Sequence, residues 1–104
     1  MNLLSLKEQT LHVLLPEEID HHITVQLAEE IDEVLLNSDV TLLVFDFANT
    51  RFMDSSGIGL LIGRYRKIAS VGGYIRIEGM SDQMSKILRL SGIEKIIGKC
   101  EETK

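Results

Sequence analysis

The stretch that most restricts the fold is residues 40–47, where Val40, Leu42, Leu43, Val44, Phe45 and Phe47 leave only Thr41 and Asp46 polar. A run so continuously apolar fits a central β-strand covered on both faces. Such a strand needs neighbours in a sheet and helices laid over it, which predicts a layered α/β domain. The run leads into a loop over residues 48–53 and then into Asp54, Ser55, Ser56, Gly57 and Gly59. From there Ile58, Leu61, Ile62, Tyr65 and Ile68 recur at spacings of three and four, the inward stripe of a helix over about residues 56–69. Two serines therefore stand where a strand-loop-helix turn presents hydroxyls to solvent.

The remaining chain supplies the partners that the strand requires. Leu3, Leu4 and Leu6 suggest a short edge strand within residues 1–8, and residues 11–15 a better one, ended by Pro16, which cannot donate to a ladder. Residues 17–20 read as a short turn, with Asp20 placed as an N-cap. Ile23, Leu27, Ile31, Val34 and Leu35 form one stripe of a helix over about residues 22–36, and Glu29, Glu30, Asp32 and Glu33 lie off it as a solvated face. Ile75 and Ile77 alternate in a strand over residues 74–78. Ser81 or Asp82 caps a third helix to about Leu90, with Met84, Ile87 and Leu88 inward. Ile96 and Ile97 suggest a last short strand, and the polar tail, residues 99–104, is expected to fray. The expected whole is one domain over residues 1–104, a mostly parallel mixed sheet of four to five strands flanked by three to four helices.

A length of 104 residues suits one domain, and 44% apolar residues give it a core. The net charge of -5 and the lack of a basic cluster argue against nucleic acid as a partner. Neither a membrane span nor a secretory leader is legible, and the single cysteine, Cys100, cannot staple the fold, so a cytoplasmic setting is expected.

The serine turn admits two plain readings. Asp and Ser before an apolar helix are ordinary capping residues. The glycines also faintly suggest a dinucleotide loop, but their spacing, Gly57-x-Gly59-x-x-x-Gly63, is wrong and a loop separates them from the strand. A third reading is a modification switch. The first amides of a helix lack internal acceptors and the macrodipole adds positive charge, so a phosphate on either serine finds donors nearby.

The run from Phe52 through Met53, Asp54, Ser55, Ser56, Gly57, Ile58 and Gly59 to Gly63, Arg64 and Tyr65 closely resembles the core motif of the bacterial anti-sigma factor antagonists, small STAS-domain proteins. Ile19, Asp20, His21 and His22 are similar to the segment that opens the first helix in the sporulation branch of that family. The hydrophobic layout agrees from about Leu11 to Ile97. The resemblance implies that Ser56 is the phosphoacceptor, with Ser55 the neighbouring alternative. It implies partner switching: the unphosphorylated protein binds an anti-sigma factor that is itself a serine kinase, a sigma factor is freed, phosphorylation causes release, and a metal-dependent serine phosphatase restores the hydroxyl. The implied partner surface comprises Asp20, Met53, Asp54, Ser55, Ser56, Gly57, Gly59, Gly63 and Arg64. Two departures stand out: the glycine common before Glu18 in the family is absent, and the chain ends soon after Ile97, where many relatives carry a longer last helix.

An enzyme is not expected. Ser56 has no histidine placed in sequence to activate it. Asp46 with Glu17 and Glu18 faintly suggests the acidic pocket of a receiver domain, but the strand-helix pair such a domain needs between them is missing. His12, His21 and His22 are read as solvent-facing rather than as a metal site, and no cofactor is expected. The alternative within binding modules is a STAS scaffold or accessory subunit of a stress-sensing or transport complex.

Overall fold

The structure is a computed structural model that describes residues 2–97 and 101–103. Its main sheet has five strands: β1 (Leu4–Lys7), β2 (Thr10–Leu14), β4 (Leu42–Asp46), β6 (Tyr74–Glu78) and β7 (Glu101–Thr103), in the order β1-β2-β4-β6-β7. Only the β1–β2 pairing is antiparallel. Helices α1 (His21–Asn37), α2 (Ser55–Ala69), α3 (Asp82–Ser91) and α4 (Ile93–Ile97) occupy the connections between the parallel strands. Two short strands, β3 (Glu18–Ile19) and β5 (Phe52–Met53), pair in a second, parallel sheet.

The core follows from strand alternation. Leu11 and Val13, Leu43 and Phe45, and Ile75 and Ile77 point the same way from three adjacent strands and are buried with Leu27, Ile31, Leu60, Leu61, Ile68, Met84, Leu88 and Ile93 from the helices. Each large apolar side chain fully buried here is worth about 1.5–3 kcal/mol relative to exposure. The opposite face of β4 differs from the expectation of cover on both sides. Leu42 and Asp46 are only half-buried there, and Val44 is buried without joining the core cluster. His12 and Arg76 flank Val44 in register. Long side chains beside a short one shield it by covering it with their stems.

Side-chain caps start the three longer helices. Asp20 Oδ1 accepts the Ile23 amide at 2.9 Å, Asp54 Oδ1 the Ser56 amide at 2.8 Å, and Ser81 Oγ the Met84 amide at 3.1 Å. Gly92, at φ 76, ends α3 in the left-handed region that glycine enters without a Cβ penalty.

Several expectations need correction. Residues 17–20 and 48–53 are not featureless connections, because each contains a strand of the small sheet. Ile96 and Ile97 belong to α4, and the added strand is β7, inside the tail read as frayed. Residues 98–100 and Lys104 lie outside the described residues. Leu60 joins the buried face of α2, while Ile58, Ile62 and Tyr65 are only partly buried. Asp32 is not a solvated acid like Glu29, Glu30 and Glu33: it faces α2, 3.2 Å from Arg64 Nε and 3.1 Å from Lys67 Nζ.

Candidate functional site

The small sheet builds the site. Glu18 and Ile19 lie opposite Phe52 and Met53, and the next residue on each strand, Asp20 or Asp54, caps a helix. The starts of α1 and α2 are thereby set side by side. Backbone bonds extend the pairing: the Arg51 and Phe52 amides donate to Glu17 O at 2.8 and 3.1 Å, and the Asp54 amide donates to Ile19 O at 3.1 Å. Thr50, a buried polar residue, donates its hydroxyl to Pro16 O at 2.9 Å and pins the loop to the end of β2. The sequence carried no signal for Thr50, since a threonine in a polar loop looks ordinary until its acceptor is known.

Ser56 is half-buried in the first turn of α2, and its hydroxyl donates to Asp54 Oδ1, the same oxygen that accepts the Ser56 amide. These bonds hold the Asp54 carboxyl below its ordinary value; the Ser56 hydroxyl contributes most, then the Ser56 amide, with His21 adding attraction and burial opposing. Asp54 is therefore a carboxylate at neutral pH, with an adjacent serine oxygen oriented by a charge-assisted bond. Ser55, one residue earlier, is exposed.

Close packing beneath the turn requires Gly57. A Cβ there would run into the Met53 Cγ and Sδ atoms and stand 3.3 Å from Ile19 Cγ2. Met53 and Ile19 are themselves buried, so the last residues of both short strands rest on the first turn of α2. Gly59 and Gly63 have nothing within 4 Å of a built Cβ, and Gly59 is exposed. Packing within the chain thus offsets the helical cost of Gly57 alone among the three.

Of the residues singled out from the sequence, Asp20, Met53, Asp54, Ser55, Ser56 and Gly57 gather at the paired helix starts, and Gly59 follows on the next stretch of α2. Arg64 lies apart. It is eight residues beyond Ser56, about 12 Å along a helix at 1.5 Å per residue. Its side chain, 12% exposed, rests against Asp32 of α1. The two closest atoms stand 3.2 Å apart without the alignment of a hydrogen bond, so the contact is a plain ion pair. His21 and His22 are exposed, whereas His12 is half-buried and bonded to Asp46 at 3.1 Å. The three histidines do not converge.

No helix among the described residues is long and apolar enough to cross a membrane. The STAS domain model matches residues 4–104. An anti-sigma F factor antagonist from Lysinibacillus sphaericus is 33% identical over 85 residues, covering 82% of this chain and 73% of that protein. The solved structure of the anti-sigma factor antagonist SpoIIAA in its unphosphorylated form superposes with a TM-score of 0.84 at 28% identity, over 97% of this chain and 86% of that one. The phosphorylated form of SpoIIAA, from Bacillus, matches with a TM-score of 0.76 at 29% identity, over 97% and 89%. The chain belongs to the STAS domain family and, within it, to the anti-sigma factor antagonists.

Proposed function

We propose that this chain switches partners through the Ser56 hydroxyl. Unphosphorylated, it binds an anti-sigma factor with serine kinase activity, and the sigma factor is freed. Phosphorylation of Ser56 ends the complex, and a serine phosphatase returns the chain to its binding form. The cycle operates in the cytoplasm. The docking surface is the pair of helix starts, Asp20 with Met53, Asp54, Ser55, Ser56 and Gly57, extended along α2 by Gly59. Gly63 and Arg64 lie at its far edge, with Arg64 engaged by Asp32.

The observation that carries this reading is the bond from the Ser56 hydroxyl to Asp54. Phosphoryl transfer depends mainly on positioning and on electrostatic stabilisation of the transferred group. Asp54 orients the attacking oxygen and stands where its proton can go, while two helix N-termini bring positive partial charge to the same region. Once esterified, Oγ can no longer donate to Asp54. A group of about -1.5 to -2 charge then faces a carboxylate. The positive ends of the two helix dipoles offset part of this charge within the domain, so the repulsion falls on the partner surface. Upsetting a buried polar contact of that kind costs about 2–5 kcal/mol, and each ~1.4 kcal/mol is tenfold in affinity.

The test is mass spectrometry of the chain after incubation with the candidate anti-sigma kinase and ATP. A single phosphate on Ser56, absent from Ser56→Ala, is the expected result. Phosphorylation confined to Ser55, or none with an active kinase, would overturn the assignment.

A further inference from the structure

The sheet face turned away from the core carries a second cluster. His12 of β2, Asp46 of β4 and Glu78 of β6 each place one ligand atom so that all three lie within 4.8 Å of one another. Register brings them together. Leu14, Asp46 and Glu78 are cross-strand neighbours, and His12, two residues before Leu14, shares its face. All three are partly buried. Among the described residues, no other set of three His, Cys, Asp or Glu side chains converges in this way.

We propose that His12, Asp46 and Glu78 bind a first-row divalent transition ion, Zn²⁺ foremost. Tetrahedral zinc with bonds of about 2.0–2.2 Å sets its donor atoms about 3.3–3.6 Å apart. His12 Nε2 and Asp46 Oδ2 already stand 3.1 Å apart, so an ion entering between them needs only a small opening of the pair. The Asp46 carboxylate is already fixed in place: its other oxygen accepts the Ala48 amide at 2.9 Å, the kind of outer bond that orients a ligating carboxylate. Two carboxylates balance the charge of a dication. The imidazole favours zinc and its neighbours over magnesium and calcium, which prefer oxygen donors alone. The helices bury their apolar faces against the other side of the sheet, so a fourth coordination position is left to water.

Arg76 is the competing cation, its guanidinium 3.7 Å from Glu78 Oε2. The ion must share Glu78 with it or displace it, which limits affinity without abolishing it. The site is independent of the serine turn, because none of its residues belongs to the docking surface.

Titration of Zn²⁺ into the full chain, stripped of metal by chelator, tests the proposal by calorimetry. The expected result is one ion per chain, with binding weakened about tenfold or more in both His12→Ala and Glu78→Gln. A His21→Ala/His22→Ala variant and a Cys100→Ser variant should retain it, and Mg²⁺ should not substitute. Circular dichroism checks the fold of each variant; should His12→Ala not fold, the half-exposed Glu78→Gln decides. No binding to the wild-type chain, binding unchanged in Glu78→Gln, or loss in the His21/His22 or Cys100 variant would overturn the assignment.

Discussion

Ile19 and Met53 lie opposite each other in a parallel pair of two-residue strands, and the aspartate that follows each caps a helix. This pairing turns two separate helix starts into one surface. Neither strand is long enough to be stable alone, and both are fastened by buried side chains and by the loop that Thr50 pins. The serine turn is thus fastened by packing and hydrogen bonds on its N-terminal side.

Asp54 caps α2, and the proposed switch gives it a second role that substitution can separate from the first. Asp54→Ala removes the cap and should lower the midpoint of chemical denaturation. Asp54→Asn keeps an acceptor for the Ser56 amide and should cost less, yet slow phosphorylation by the kinase because the charged acceptor of the hydroxyl proton is gone. The folded carboxyl titrates below its ordinary value of 3.8. A depressed folded value means that the unfolded chain binds the proton more readily, so the stabilisation is complete above that ordinary value and fades as pH falls through the lower folded one. The stability gap between wild type and Asp54→Asn should therefore narrow on acidification below pH 3.8. A gap that widens there would contradict the assigned bond.

Phosphorylation should change Asp54 before it changes the fold. The Ser56 hydroxyl is the main cause of the lowered carboxyl, and esterification removes that donor while adding negative charge. NMR titration of the Asp54 side chain should show its midpoint move upward in the phosphorylated chain, with the backbone amide pattern of the main sheet unchanged. A midpoint that stays or falls would show that the hydroxyl is not Asp54's partner.

Gly57 and Gly59 should respond in opposite directions to alanine. At Gly57 the new methyl meets Met53 and Ile19, an overpacking that costs about 1–3 kcal/mol. At Gly59 nothing lies within 4 Å, so relief of the helical glycine penalty should stabilise by up to about 1 kcal/mol. The same Gly59→Ala chain should bind the anti-sigma factor more weakly if the bare helix surface is contact area. Urea denaturation and a binding titration on both variants check the pair.

Arg64 should behave as a brace between helices. Arg64→Met keeps much of the stem but leaves Asp32 with Lys67 alone, and stability should fall by about 1 kcal/mol or more, since the guanidinium is largely buried. Its phosphorylation rate should stay near that of wild type. A large drop in rate with stability intact would make Arg64 a partner contact rather than a brace.

Much of this was legible in the sequence. Strand and helix periods placed α1, α2, β2, β4 and β6 to within about two residues, because each buries a face that repeats. Cap chemistry pointed to Asp20, to the Asp and Ser before α2, and to Ser81 or Asp82, and the structure uses Asp20, Asp54 and Ser81. What escaped depended on distant partners. Glu18, Ile19, Phe52 and Met53 are too few to show a period, and only their pairing makes them strands. Asp32 looked like its neighbours Glu29, Glu30 and Glu33 until α2 was laid beside it. His12 read as a surface histidine because its partner Asp46, and Glu78 close by, come from strands far along the chain.

The most direct test compares the affinity of the anti-sigma factor for the unphosphorylated chain and for the chain carrying phosphate on Ser56, by calorimetry with the same preparation of partner. With about 2–5 kcal/mol at stake, the phosphorylated form should bind at least about thirtyfold more weakly, its circular dichroism unchanged. Equal affinity for the two forms would contradict a switch at Ser56.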